Sequence, residues 1–519
     1  MKTFKGRFLL FVSLVIVLST IVFPVPGLVK EDKARTGDVV FALQAGDFSM
    51  VGGDPATLVS GGQPVLPHTI FDGLTSLDTA RNCLPALAKS WKIAPDWSYM
   101  DFRLREGVKF HNGAEVTAED VKYSFDTYMR KDVHFILKGL FKQRIKDVEV
   151  RGTYEIRINT KLPWPAWDEM FSGAAVIFPK KYREEVGDKG FANKPVGAGP
   201  FRWVEYASDE WVKVEAVKDH YRQSPKINTL KFLAVPETST RLAMLKAGEA
   251  DIIGLIGANI PQLRADPNFK VYFVKDTQGQ CLLYCDLAFP NEPSPWHDKR
   301  VRMAASMAID RKTLCEKILF GTATPAGEPI APVTRGYDSS IKPDPYDIEA
   351  AKKLLAQAGY PNGFETDVVT KETNRYWMEA IAANLSDVGI KAKLKIYENA
   401  AWTDGVVNKK FRGLTHLATF FSGSTHVAKD AVTLFTKATN WCYSTTPEIE
   451  ETVNKSVWAL SDEDMAKAGR KISDLIRESR IRMILWNTHM AYGLGPRIAA
   501  WESLTGSPVP SHFEYIRLK

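Results

Sequence analysis

The chain has 519 residues, 45% hydrophobic and 25% charged, which is long and apolar enough for a globular protein of two or three lobes. Its net charge of +7 is scattered, without a basic stripe interleaved with aromatic residues, which argues against a nucleic-acid partner. Five cysteines are too few, and odd in number, for a disulfide scaffold, and we expect no disulfide.

The first thirty residues have the pattern of an export signal. Three basic residues and no acid precede an uncharged apolar run at residues 8–29, and Gly27 is a small residue suited to a cleavage site. We predict a signal peptide over residues 1–27 and a periplasmic or other extracytoplasmic location. The run is about 22 residues, long enough to span a bilayer, so tethering to the outer face of the cytoplasmic membrane is the alternative.

The N-terminal half of the mature chain is predicted to be mainly strands. Residues 37–43 are predicted to be a buried strand, and alternating apolar residues and turn residues indicate strands within 148–160, 195–206 and 227–235. The pair within 148–160 is expected to turn at Arg151-Gly152. A helix is predicted at 238–252, with a Ser/Thr start and Gly248 as its stop.

Residues 104–126 place His111 among several acids, which raises the question of a metal or acid-base site. The pattern instead predicts a strand pair turning at Gly107, a tight turn at Asn112-Gly113, and a helix that Thr117 caps. His111 has no second histidine three or four residues away. We interpret the segment as structural and expect no metal here.

The C-terminal half alternates helices with strands. Amphipathic helices are predicted at 300–319, 347–360 and 374–389, followed by a strand at 390–398. Such alternation is typical of an α/β fold.

Five of these segments together resemble one family. They are "LREGVKFHNGAEVTAEDVKYSF", "PVGAGPFRWVEY", "STRLAMLKAGEADI", "KRVRMAASMAIDRKTL" and "AAKKLLAQAGYPNGF". In order and spacing, from about residue 37 to about 400, they are similar to the family 5 extracytoplasmic solute-binding proteins of ABC importers, which include oligopeptide- and dipeptide-binding proteins.

The resemblance implies an α/β fold like that of type II periplasmic binding proteins, with two α/β lobes joined by a hinge plus an inserted third lobe. Lobe I would comprise residues 37–66, 191–277 and 491–519. Lobe II would be the insertion 67–190, and lobe III would be residues 278–490. Ligand would be enclosed between lobes I and III by closure at the hinge.

The implied function is that of a binding component, not an enzyme, which delivers a small organic solute to a membrane permease and its ATPase. Peptides are the default ligand; a sugar, an opine-like compound or a metal chelate is the alternative. We expect a monomer without cofactor. A secreted hydrolase is a more distant alternative, and no Gly-x-Ser-x-Gly, His-Glu-x-x-His or Cys-x-x-Cys motif supports it. A membrane-attached sensor is a third, which depends on whether the apolar run is retained.

The segment 413–435 departs from the family pattern. In the peptide binders it holds an acid near a Trp that receives the peptide's amino terminus, whereas here no acid comes before Asp430. A buried ammonium needs such a partner, so the hydroxyls and rings here suit a neutral polar ligand or an anion. A plain surface loop is the alternative interpretation.

The remaining candidate ligand-binding residues are chosen because the resemblance places their positions near the cleft between the lobes. For each aromatic residue among them, packing in the core is the alternative. The candidate ligand-binding residues are Asp47, Phe48, Ser49, Tyr284, Phe420, Phe421, Ser422, Ser424, His426, Trp441 and Trp486. His426 and His489 together are a conceivable site for a metal chelate, but lone histidines are more often packed or solvated, so we predict no metal site and no catalytic residue.

Overall fold

The computed structural model describes residues 37–44, 53–57, 65–133, 135, 137–164, 166–420, 423–459, 461–507 and 509–519. The strands in these residues are β1 Asp38–Leu43, β2 Thr75–Leu77, β3 Cys83–Pro85, β4 Ala88–Ile93, β5 Tyr99–Leu104, β6 Ile145–Gly152, β7 Glu155–Thr160, β8 Phe201–Ala207, β9 Trp211–Ala216, β10 Thr229–Ala234, β11 Ile252–Leu255, β12 Lys270–Tyr284, β13 Ala323–Pro325, β14 Phe364–Lys371, β15 Ile390–Tyr397, β16 Leu414–Phe420, β17 Arg482–Leu494, β18 Ile498–Ala500 and β19 Arg517–Leu518.

The helices of the same residues range from single turns to the 18 residues of the last one. They are α1 Pro67–Ile70, α2 Ala118–Met129, α3 Lys138–Arg144, α4 Trp167–Glu169, α5 Lys180–Asn193, α6 Thr238–Ala247, α7 Asn259–Arg264, α8 Lys299–Met307, α9 Arg311–Thr313, α10 Ile348–Gln357, α11 Arg375–Ser386, α12 Asn399–Val407, α13 Ala428–Phe435, α14 Pro447–Ser456 and α15 Asp462–Ser479.

One long mixed sheet combines strands from β1 to β17. Its strand order is β15-β14-β16-β12-β17-β11-β1-β10-β9-β8, with β13 paired to β17 beside this path. A separate four-stranded antiparallel sheet, β4-β5-β7-β6, lies in the predicted insertion. We call β11, β1, β10, β9 and β8 the first half of the long sheet, and β16, β14 and β15 the second half.

The two longest strands, β12 and β17, join these halves. They pair antiparallel from Lys270 opposite Leu494 to Leu283 opposite Arg482, and the register shifts between Val274 and Gln278. β11 pairs with residues 491–494 of β17, whereas β16 pairs with residues 279–284 of β12. The halves therefore attach at opposite ends of one strand pair, and the irregular stretch lies between them.

The second half of the sheet is covered by helices on both faces. One core contains buried residues of α8, α10 and α11, and the other contains buried residues of α13, α14 and α15. Leu282 and Tyr284 of β12 belong to the first of these cores, and Cys281 and Leu283 to the second. A sheet between two helical layers is an α/β arrangement, as predicted.

Several predicted elements are confirmed. The strand predicted at 37–43 is β1, and the two strands predicted within 148–160 are β6 and β7. Their turn is at residues 153–154, since Arg151 and Gly152, where it was predicted, still belong to β6. The helix predicted from Thr238 is α6, which ends at Ala247, before Gly248 with φ of 73°. Glycine reaches this left-handed conformation without the steric cost that a side chain brings.

The single helix predicted at 300–319 is wrong. α8 ends at Met307, and α9 starts anew at Arg311 before a π-helical turn at Leu314–Ile318. The cause is Asp310, whose carboxylate accepts a hydrogen bond from Thr313 N at 3.0 Å and so caps a second helix. Apolar periodicity alone does not reveal such a break.

The segment 104–126 is partly as predicted. β5 ends at Leu104, and only an isolated bridge, Lys109 to Glu115, replaces the second strand that we predicted. α2 starts after Thr117, whose backbone N and Oγ1 both donate to the Asp120 carboxylate, at 2.9 and 2.8 Å. His111 Nε2 contacts Gly199 O at 2.9 Å, which ties the turn to residues near β8.

The described residues contain neither a membrane-spanning helix nor a disulfide. Among the described residues, none of the helices is long and apolar enough to cross a membrane, and the apolar run 8–29 lies outside those residues. All five cysteines are free thiols, of which only Cys83 is not buried.

His416 of β16 makes acid stability testable. Its ring stacks on Trp402 with centroids 4.4 Å apart, and Asn374 Nδ2 lies 3.2 Å from Nε2. Burial lowers the pKa of His416 from its ordinary 6.5 to about 3, and the charge of Lys371 acts in the same direction.

Because the unfolded chain takes up this proton first, stability is expected to fall as the pH drops below about 6.5, and to keep falling until about 3. His416→Phe, which has no such proton, should lose about 2 kcal/mol less free energy of unfolding between pH 7 and pH 5. Urea unfolding of both chains at each pH measures this. Equal losses would contradict the assignment, and above about pH 7.5 the two stabilities should run parallel.

Candidate functional site

The candidate site lies where β12, β16 and β17 meet. Gly279 of β12 is paired with Phe420 of β16 on one side and with Asn487 of β17 on the other. Five buried side-chain polar atoms in the described part of the chain lack a hydrogen-bond partner, and two of them, Thr419 Oγ1 and Asn487 Oδ1, lie on the strands beside Gly279. An unsatisfied buried group costs about 1–3 kcal/mol, which makes such a pair a candidate for ligand contact.

Gly279 permits this arrangement. A Cβ at this position would overlap Thr419 Oγ1 and the ring of Phe420. The register of β12 against β16 also shifts between Gly279 and Gln280. Glycine therefore allows two side chains of β16 to approach the backbone of β12.

A short turn follows β16 and is held by its own polar groups. Ser424 Oγ accepts a hydrogen bond from His426 N at 3.2 Å, and Thr334 Oγ1 donates to Ser424 O at 2.6 Å. His426 Nδ1 accepts from Ala428 N at 3.0 Å. Its Nε2 therefore carries the hydrogen and donates to Ala459 O, also at 3.0 Å.

The neutral His426 ring thus links the backbone of Ala428 to that of Ala459 by two hydrogen bonds. Burial lowers its pKa, although the bond to Ala459 O and the charge of Glu169 oppose that shift. Both ring nitrogens are engaged, so neither is free to ligate a metal. His489 resembles it, since Nδ1 accepts from Asp276 N at 3.0 Å and Nε2 lies 2.7 Å from Thr324 Oγ1.

Three of the predicted residues, Phe420, Ser424 and His426, line one small cavity of about 20 Å³. That volume suits about one water molecule and is far below that of a peptide or sugar. The cavity is also lined by Pro329, Ile330, Ala331, Thr334, Thr419, Val427, Asp430, Ala431, Phe435 and Ile472. Its walls would have to separate before an organic solute could enter.

Three other predicted residues do not line this cavity. Tyr284 is 1% exposed, packs on Trp296 and donates its hydroxyl to Arg302 O at 3.1 Å. Trp486 is equally buried, with its ring edge-on to Trp377. Trp441 is half-buried against the core that contains α13. In this structure Tyr284 and Trp486 are core residues.

The remaining predicted residues, Asp47, Phe48, Ser49, Phe421 and Ser422, lie outside the described part of the chain. Sequence analysis also missed two neighbours of Ser424. Thr334 comes from a connection some 90 residues earlier in the chain, and no local pattern points to it. Asp430 was noted only as the first acid after β16, yet it lies in the first turn of α13 and lines the cavity.

Within the described part of the chain, no group of three or more His, Cys, Asp or Glu side chains is arranged to hold a metal ion. The described residues at the site supply hydroxyls, an amide, one acidic residue and aromatic rings.

The comparison with protein families decides the classification. Residues 82–426, about two thirds of the chain, match the model for bacterial extracellular solute-binding proteins, family 5. The chain belongs to this family. Its members are transport binding proteins rather than enzymes, and they act outside the cytoplasm. The predicted family, fold class and solute-binding function are confirmed.

Individual relatives cover much of the chain. Heme-binding protein A of Haemophilus influenzae is 32% identical over 349 residues, which is 62% of each protein. The glutathione-binding protein GsiB of Escherichia coli K12 is 29% identical over 385 residues, 72% of this chain and 73% of GsiB.

Solved structures agree on the fold. DppA from Helicobacter pylori, in complex with the peptide STSA, is 25% identical with a TM-score of 0.74, over 93% of this chain and 98% of DppA. HbpA2 from Haemophilus parasuis has a TM-score of 0.81 at 22% identity, over 93% of this chain and all of HbpA2.

The importance of Gly279 can be tested by substitution. Gly279→Ala should push Phe420 and Thr419 away from β12 and lower the free energy of unfolding by about 1–3 kcal/mol, since the overlap is with packed atoms. Gly254→Ala of β11 is the matched control, because a Cβ there meets only Leu43 Cδ2, at 3.9 Å. Chemical denaturation of both variants measures the difference. Equal stabilities would show that the close approach at Gly279 is unimportant.

Proposed function

We propose that this family member is the extracytoplasmic receptor of an ABC importer, capturing a small organic solute for a membrane permease and its ATPase. Peptides are the default class of solute. The observation that carries the proposal is the pair of unsatisfied polar groups, Thr419 Oγ1 and Asn487 Oδ1, where β12, β16 and β17 meet. We further propose that the receptor acts as a monomer.

Capture would occur by closure of two lobes, with lobe I at 37–66, 191–277 and 491–519 and lobe III at 278–490. β12 and β17 would form the hinge, because the irregular pairing between Val274 and Gln278 separates the attachment points of the two sheet halves. The cavity beside Ser424 holds only about 20 Å³, so ligand would enter an open form and select a closed one. A nearly complete shift needs about 5.5 kcal/mol of differential affinity.

Asp430 supports the peptide class. Asp430 is among the residues that line the cavity beside Ser424, a position that sequence analysis had not given to an acid. A peptide ammonium could pair with it, and the neighbouring hydroxyls suit peptide amides. The proposed ligand contacts among the described residues are Thr419, Phe420, Ser424, Asp430 and Asn487. Asp47, Phe48, Ser49, Phe421 and Ser422 stay predictions.

A thermal-shift panel tests the ligand class. It contains dipeptides, tripeptides, reduced glutathione, hemin, mannopinic acid, a sugar and nickel–histidine, chosen because relatives or fold neighbours are described with heme, glutathione, peptides, Ni(L-His) or mannopinic acid. We expect a peptide to raise the melting temperature by mass action and to be recovered unchanged. A shift by another class with none by peptides would contradict the peptide default, and turnover would contradict the binding role.

The contact with Asp430 is tested on whichever peptide binds. Asp430→Asn should weaken the binding of a peptide with a free amino terminus by about ten-fold or more, because the ammonium loses a charged partner. The affinity for the N-acetylated form of the same peptide should change little. Asp404→Asn is the matched control, since Asp404 of α12 is exposed and paired with Lys410. Isothermal titration calorimetry gives the constants. Equal losses for both peptide forms would remove Asp430 from ammonium binding.

We propose that residues 1–27 are a cleaved export signal. The mature chain should then begin near residue 28, with an intact mass smaller than that of the 519-residue chain by the mass of the signal. Mass spectrometry of the protein secreted by a host that cleaves signal peptides measures this. A full-length mass in the membrane fraction would instead support the tether.

A further inference from the structure

One buried carboxylate connects the predicted insertion to the turn after β16. Glu169, at the end of α4, is 7% exposed. Its Oε2 accepts a hydrogen bond from Lys429 Nζ at 2.7 Å, and its Oε1 accepts one from Thr425 N at 3.0 Å. Arg81 Nη1 lies 3.5 Å from Oε1. Three positive or partly positive groups from distant segments thus converge on one side chain.

The same region includes the C-terminal segment. Arg81 Nε donates to Thr505 O at 2.7 Å, and Gly423 N donates to Gly506 O at 2.9 Å. Gly506 N in turn donates to Lys275 O, beside the irregular stretch of β12. The turn at 423–429, which contains Ser424 and His426, is therefore contacted from outside its own half of the sheet by Glu169 and by Gly506.

The positive charges of Lys429 and Arg81 stabilise the ionised carboxylate of Glu169. Burial alone would raise the pKa of Glu169, but Lys429 and Arg81 outweigh burial and hold the pKa below its ordinary value. A buried ion that loses its partners costs several kcal/mol, whereas exposed pairs contribute little. If these segments separate, the free energy lost with the ion pairs must therefore be offset by hydration of Glu169, Lys429 and Arg81.

We propose that Glu169 is a positioning residue of the ligand site: it holds the turn 423–429, and with it Ser424, in place only while the receptor is closed. The inference rests on the proposed function, since Glu169 lies in the predicted insertion and Lys429 in lobe III. Opening of the hinge breaks the contacts with Lys429 and Thr425. Glu169 thus favours the closed form without touching the ligand, and raises apparent affinity by raising the fraction of binding-competent protein.

The test measures the closed fraction directly. Spin labels are attached at Lys122→Cys of α2 and Lys455→Cys of α14, both exposed positions, in a Cys83→Ser chain whose other thiols are buried. Pulsed electron paramagnetic resonance then gives the distance distribution of the whole folded chain, without ligand and with reduced glutathione. Glu169→Gln should lower the ratio of the short to the long distance by about ten-fold or more.

Two further variants separate positioning from general loss of stability. Glu169→Asp, which keeps the charge, should restore part of the closed fraction. Lys429→Gln, which leaves Arg81 beside Glu169, should lower the fraction as Glu169→Gln does. The matched control is Glu463→Gln, which removes an exposed ion pair with Lys467 and should leave the distances unchanged.

The outcomes are distinct from those of the ligand panel. Wild type, Glu169→Gln and Lys429→Gln with the same distance distributions, with and without glutathione, would overturn the inference. A loss of the short distance in both variants but not in Glu463→Gln would support it, even if no compound of the panel binds. Failure of every compound to raise the melting temperature would count against the proposed function alone.

Discussion

The antiparallel pairing of β12 with β17 is the constraint on which the rest of the structure depends. Both halves of the long sheet are built on this one pair, at opposite ends of it. Residue pairs on both sides of the irregular stretch connect each half to this strand pair. Between them the register shifts, and Asp276 has a left-handed φ of 55°. Relative motion of the halves is therefore most easily absorbed at residues 275–277, where ladder bonds are already missing.

Side chains replace some of the ladder bonds that the irregular stretch lacks. Asp276 N donates to His489 Nδ1, and Thr488 Oγ1 donates to Gln278 O at 3.0 Å. Side-chain bonds of this kind form again after rotation more readily than a continuous strand ladder does. The unsatisfied atoms lie immediately beyond this stretch, Thr419 Oγ1 on β16 and Asn487 Oδ1 on β17. The proposed hinge residues 275–277 are thus adjacent to the polar groups proposed to bind ligand, but they are different residues.

Much of the fold could be predicted from sequence because local chemistry determined it. The apolar residues of β1, the glycine stop of α6 and the Thr117 start of α2 each have a local physical cause. Five such segments in order then identified the family. The prediction of one long helix at 300–319 was wrong because a capping aspartate, Asp310, interrupts an apolar pattern that continues across it.

The site could be predicted only in part, and β12 shows why. Tyr284 was chosen for its position near a crossing between lobes, but position does not specify the face of the strand. In "CLLY" every residue from 281 to 284 is apolar or aromatic because both faces are buried, so no alternation shows that Leu282 and Tyr284 face one core and Cys281 and Leu283 the other. Phe420, Ser424 and His426 were predicted together because hydroxyls and aromatic rings are close to one another in this part of the sequence, and the three line the same cavity. Asp430 and Thr334 reach the same cavity through tertiary contacts that sequence does not display.

The use of a charged contact at Glu169, rather than an apolar one, fits a receptor that must open again. An apolar contact of similar size would leave a hydrophobic patch in the open form, which favours aggregation and holds the closed form too strongly. Carboxylate, ammonium and guanidinium groups regain hydration when they separate, so the net preference for closure stays modest. A modest preference is what ligand capture requires, because a form that closes fully without ligand would gain nothing from binding it. The hydrogen bonds of Glu169 therefore orient the turn at 423–429, whereas ligand binding determines whether the two lobes close.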